Sequence, residues 1–160
     1  FDQTGSYLLK LTAANANGEV SRTLMVNSAP SPAYFTEWQA LTWPGISDPA
    51  IIGPDRDPDT DGIPNLLEWA LHLNPTQPGT IPAVLQKNGG LLEYTYTRRK
   101  TAPGEAEFQV EWSDTLSSDW SSEDVSGETV ISETSSTQTV KVTLPFVGER
   151  RFMRLRVSRP

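Results

Sequence analysis

Between Asp57 and Glu68 the chain reads Asp-Pro-Asp-Thr-Asp-Gly-Ile-Pro-Asn-Leu-Leu-Glu, and no other stretch constrains its folding as tightly. Side-chain oxygens stand at the first, third, fifth, ninth and twelfth positions of this run, with a glycine at the sixth. Three aspartates at every second residue repel one another in a compact loop unless something positive lies among them. Gly62 lacks the Cβ that restricts φ, so the backbone can turn sharply there and bring later oxygens round to face earlier ones. The run therefore predicts a loop wrapped about a cation.

The spacing is that of an EF-hand-type calcium loop, and calcium is a hard ion that collects oxygens. Asp57, Asp59 and Asp61 supply carboxylates, and Ile63 at position seven supplies its backbone carbonyl. Asn65 binds directly or through water. Glu68, in the first turn of the following helix, offers both carboxylate oxygens. Asp55, two residues upstream, is a further candidate. An acidic helix N-terminus, favoured by the helix dipole, accounts for one or two of these acids but not for the whole spacing. Pro64 occupies position eight, where paired hands place an apolar strand residue, so a single unpaired loop is expected and a sensor role is not.

The flanking sequence places the loop between two short helices. Ser31-Pro32 reads as a helix start, a capping hydroxyl followed by proline at the first helical position. Residues 33–42 form the first expected helix, with Phe35 and Trp38 on one stripe and Pro44-Gly45 as its stop. Residues 47–56 read as loop. Residues 65–74 form the second helix, with Leu66, Leu67, Ala70, Leu71 and Leu73 on a broad apolar face and Asn74-Pro75 as its stop.

Upstream, alternation over Tyr7–Thr12, the turn signal Asn17-Gly18, and Val20, Leu24 and Val26 on one face predict a β-hairpin. Downstream, residues 83–160 read as six short strands. These are Ala83–Gln86, Leu91–Thr97, Phe108–Trp112, Thr129–Ile131, Val140–Leu144 and Met153–Val157. The fold expected is mainly β: an antiparallel sandwich (83–160), preceded by a helix–loop–helix segment (31–82) and an N-terminal hairpin (1–30). Arg154 and Arg156, on the outer face of the last strand, are expected to pair with glutamates of neighbouring strands.

Charge and composition narrow the function classes. Among 160 residues the formal net charge is −7 and the pI about 4.7. That balance argues against nucleic acid, which demands a basic footprint, and against attachment to anionic membranes. No apolar run resembles a signal or membrane span, and a start at Phe1 reads as a piece of a longer protein. There is no cysteine and one histidine, His72, so zinc and Ser-His-Asp chemistry lack material. No paired carboxylate stands in a glycosidase context and no phosphate-binding glycine loop appears, so an enzyme is not expected.

Five tryptophans leave room for a sugar-binding surface. Trp38 and Trp112 read as packing, and Trp69, beside Glu68, as a cover over the metal site. Trp43 and Trp120, in loop-like contexts, are candidates for stacking on polysaccharide. Tyr94 and Tyr96 share one strand face and form a second candidate platform, though a packed strand face is the preferred reading of them.

Asp57-x-Asp59-x-Asp61-Gly62-x-x-Asn65-x-x-Glu68-Trp69-x-Leu71-x-Leu73-Asn74-Pro75 resembles the thrombospondin type 3-like and dockerin-like calcium repeats of secreted bacterial proteins. It is most similar to a single-repeat form near the C-terminus of very large secreted proteins. That form precedes a β-sandwich carrying stretches like Trp112-Ser113-Asp114-Thr115-Leu116-Ser117-Ser118-Asp119-Trp120 and Arg151-Phe152-Met153-Arg154-Leu155-Arg156-Val157. Gly5-Ser6-Tyr7 before an alternating strand resembles the end of an immunoglobulin-like domain of the PKD kind. The resemblance implies an extracellular, non-catalytic accessory module whose partners are neighbouring domains of its parent. With one loop rather than a dockerin's two, cohesin docking is not implied. A carbohydrate-binding module appended to a polysaccharide-degrading enzyme is the alternative.

Overall fold

Alternating apolar residues become strands wherever a second layer can cover one of their faces, and residues 91–99 and 137–145 follow that rule, whereas the outer strands at residues 83–88 and 129–133 are exposed. The structure, a computed structural model, describes the backbone of residues 5–15 and 18–28, and residues 32 and 34–160 with their side chains. It divides into two compact units, Phe1–Ser31 and Pro32–Pro160.

In the first unit, β1 (Gly5–Asn15) and β2 (Gly18–Ser28) pair antiparallel, with Gly5 opposite Ser28 and Asn15 opposite Gly18. The pairing of Asn15 with Gly18 agrees with the predicted hairpin. Asn17 and Ser31, and the side chain of Tyr7, lie outside the described residues and groups.

The second unit opens with three short helices: α1 (Phe35–Thr42), α2 (Pro49–Ile52) and α3 (Asn65–Leu71). The six expected strands follow as β3 (Ala83–Asn88), β4 (Leu91–Arg99), β5 (Glu107–Ser113), β6 (Thr129–Glu133), β7 (Thr137–Pro145) and β8 (Phe152–Ser158). All pairings are antiparallel. One sheet has the order β3-β4-β7-β6 and the other is the ribbon β5-β8. The region is thus mainly β.

Two apolar clusters hold this unit together. Tyr94 and Tyr96 of β4, Val140 and Val142 of β7, Val110 of β5 and Leu71 of α3 are buried together, with Met153 and Leu155 of β8 packed against them. Inward residues of both sheets thus share one core. The second cluster joins Phe35, Trp38, Trp43, Trp69 and Ala70 to Ala102 and Ala106. Phe108 packs against both clusters. The helical segment and the β region, distinct in sequence pattern, therefore bury one another.

Helix boundaries differ from the sequence reading in three places. α1 begins at Phe35, and its N-cap Tyr34 makes no side-chain cap. The Glu105 carboxylate instead accepts the Phe35 N–H at 2.6 Å, an anion at the positive end of the helix. α3 ends at Leu71, three residues before Asn74. His72 takes a left-handed conformation (φ 62°), and the Leu73 N–H returns to the Glu68 carbonyl at 2.8 Å, a closure that satisfies the last turn. α2 falls within the expected loop. Its signal was present in Asp48-Pro49: Asp48 Oδ1 accepts the Ala50 N–H at 2.9 Å, and proline fills the first helical position.

Candidate metal centre

Asp57, Asp59 and Asp61 place one carboxylate oxygen each within 4.8 Å of one another, a group able to hold a metal ion. The loop is drawn tight by its own side chains. Asp57 accepts the Gly62 N–H at 2.8 Å and the Asp61 N–H at 3.2 Å. Asp61 accepts the Ile63 N–H at 2.7 Å and, from beyond α3, the Gly79 N–H at 2.7 Å. Gly62 has φ 89°, the positive value its place at position six requires. A carboxylate oxygen that takes one N–H keeps a second lone pair for a cation.

Asn65 and Glu68 complete the set from α3. Asn65 is 0% exposed. Its amide nitrogen donates to the Ile51 and Gly53 carbonyls, each at 2.8 Å, which ties α2 to the start of α3. Those two acceptors fix the NH₂ group and leave the amide oxygen, Oδ1, buried without a partner. Glu68 is 1% exposed, and its Oε2 is likewise buried without a partner. Asp59 Oδ2 is the third such oxygen. A buried acceptor without a donor is costly, by about 1–3 kcal/mol and more for a charged group. Three in one loop, at positions three, nine and twelve, match the donors a cation would satisfy.

The electrostatics have the same sense. Burial, and then the charges of Asp59, Asp61 and Asp57, push the Glu68 carboxyl up to about 8. Burial and the neighbouring Asp61 raise Asp59 as well. The cluster is starved of positive charge, and its donors are oxygens alone, the set suited to a hard ion. Glu68 stands outside the mutual 4.8 Å of the three aspartates, so it enters by the field it feels and by its orphaned oxygen. Ile63 is buried at position seven. Asp55 is exposed and is not in the cluster.

The aromatic candidates fare differently. Trp43 is 7% exposed and packs edge-on to Trp38, centroids 5.3 Å apart, so it is a core residue and not a sugar platform. Tyr94 and Tyr96 are also buried, on the inner face of β4. Trp120 is half-buried, with the Arg154 guanidinium 4.0 Å from its ring centroid. Trp69 is wholly buried against Phe35 and serves as an anchor of the core rather than a cover for the loop. His72 is exposed at the end of α3.

The arrangement is a set of clustered oxygens, able to hold a metal ion, carried by a loop and the start of a helix. Comparison with protein-family models, curated proteins and solved structures gives no match. Among the described residues, no helix is long and apolar enough to cross a membrane.

Proposed function

We propose that this chain is a non-catalytic, calcium-stabilised accessory module of a secreted multidomain protein, in which the ion braces the helix–loop–helix segment against an antiparallel β-sandwich. The observation that carries this reading is the trio of buried, unpartnered oxygens on Asp59, Asn65 and Glu68 beside the Asp57 and Asp61 carboxylates. Asp57, Asp59, Asp61, Asn65 and Glu68, with the Ile63 carbonyl, would hold the ion. Its double charge would offset the mutual repulsion of four carboxylates and let Glu68 ionise. Calcium suits this set better than magnesium, because a bidentate glutamate and a backbone carbonyl fit a large, adaptable coordination shell. Extracellular placement belongs to the same reading: extracellular calcium modules bind at about 0.1–1 mM, which is adequate outside a cell.

The carbohydrate-binding alternative draws less support. It needs open aromatic faces, and three of its four candidate residues are buried.

Calorimetric titration of chelator-stripped protein tests the metal assignment. One calcium per chain is expected, with loss of binding in an Asp59→Ala, Asp61→Ala variant. No heat at millimolar calcium, or undiminished binding by that variant, overturns it.

A further inference from the structure

The β5-β8 ribbon leaves one long edge of β8 without a strand partner among the described residues. A cavity of about 390 Å³ lies along it, lined by Arg154, Leu155, Arg156 and Val157. Successive residues of a strand point to opposite faces. A hollow touching four in a row therefore runs beside the backbone, where unpaired N–H and C=O groups stand, and not over one face. Its far wall is Pro54 and Asp55, before the acidic loop, and Pro64, Leu66 and Leu67, from the loop's end and the start of α3.

We propose that this edge is a peptide-docking site that receives an extended segment as an added antiparallel strand, with acidic residues alternating with apolar ones. Main-chain hydrogen bonds to a free edge supply affinity without regard to sequence, and the flanking side chains set the pattern. On one face the added strand lies beside Arg154 and Arg156. The Arg156 side chain is 60% exposed, and the Glu111 carboxylate it shares with Arg154 is 3.9 Å away against 2.7 Å for Arg154. Arg156 therefore keeps most of its charge for a partner. On the other face the neighbours are Leu155 and Val157, with Leu66 and Leu67 opposite, which calls for apolar side chains. Asp55 on the far wall restricts the partner's carboxylates to the arginine side.

A second copy of this chain is the weaker occupant. Pairing β8 with β8 would set arginines against arginines, and like charges across strands destabilise the pair.

The test uses a capped peptide of alternating glutamate and valine, with an alternating lysine and valine peptide as control. Amide NMR shifts of the whole chain are followed in saturating calcium, so the acidic loop is in one state whatever its assignment. The acidic peptide is expected to shift and protect the amides of residues 152–158, and the lysine peptide to leave them unchanged. Arg156→Glu, at an exposed site, should weaken the acidic peptide by about tenfold or more and allow the lysine peptide to bind. Absence of shifts on β8, equal binding to the Arg156→Glu protein, or concentration-dependent broadening at β8 without peptide would each overturn the proposal, the last in favour of self-association.

Discussion

Arg99 Nε donates to the Trp69 carbonyl at 3.0 Å, with both residues buried. The bond joins the end of β4 to the last turn of α3, one residue beyond Glu68. A cation at a helix C-terminus is favoured by the dipole, and burial strengthens the bond while lowering the Arg99 guanidinium to about 10. Through this contact the metal loop and the four-stranded sheet are parts of one structure.

Arg99→Ala should therefore cost about 2–3 kcal/mol, the scale of a buried hydrogen bond to a charged group, measured by urea unfolding. It should also weaken calcium binding, because α3 carries Asn65 and Glu68. A loss below about 0.5 kcal/mol would show that the contact does not hold α3.

Asn65→Ala removes two donors that no other group replaces. The Ile51 carbonyl loses its partner while the Gly53 carbonyl keeps the Arg56 N–H at 3.1 Å, and a stability loss of about 1–3 kcal/mol is expected even in chelator. Thermal melts in the absence of metal separate this role from ligation. An unchanged melt would mean that Asn65 acts only as a ligand.

Trp43→Ala tests the core assignment. Deleting an indole packed against Trp38 should cost about 3–5 kcal/mol. A near-neutral effect, accompanied by lost retention on insoluble polysaccharide, would restore the sugar-binding reading.

The sequence was legible where periodicity and spacing act locally. Strands β4, β5, β7 and β8 follow from alternation, and the grouping of the Asp57, Asp59 and Asp61 carboxylates from oxygens at fixed positions. Asp48-Pro49 is a readable helix start, but a helix of four residues carries no apolar period to mark it. The cap of α1 could not be read, because Glu105 lies seventy residues from the Phe35 N–H it accepts. The fate of the tryptophans was equally hidden. Trp43 sits beside a proline and a glycine, the context of an exposed loop, yet packing of α1 against α3 buries it. The second role of Asn65 was also invisible, since its acceptors, Ile51 and Gly53, lie in the unanticipated α2 and its C-cap.

Metal-free protein should lose stability as pH rises from about 5 to about 8. Folding raises the Glu68 carboxyl from an ordinary 4.5 to about 8, so between these values the folded chain holds a proton that the unfolded chain has released. Raising pH removes that advantage. Melting temperature in chelator should fall across this window, and calcium, which competes with the proton, should flatten or reverse the trend. In a His72→Gln protein, which lacks the opposing titration of an imidazole that burial holds below its ordinary range, a rise in chelator across the same window would contradict the environment assigned to Glu68.

The most direct measurement compares melting temperatures of the wild type and Glu68→Gln at pH 8, in chelator and in excess calcium. Linkage at ten to a hundred times the dissociation constant corresponds to about 1.4–2.7 kcal/mol, a rise of several degrees for the wild type. Glu68→Gln should melt higher than the wild type in chelator, because it removes a buried charge, and should lose most of the calcium response. Equal melting of the wild type with and without calcium, or a full calcium response in Glu68→Gln, would contradict the account.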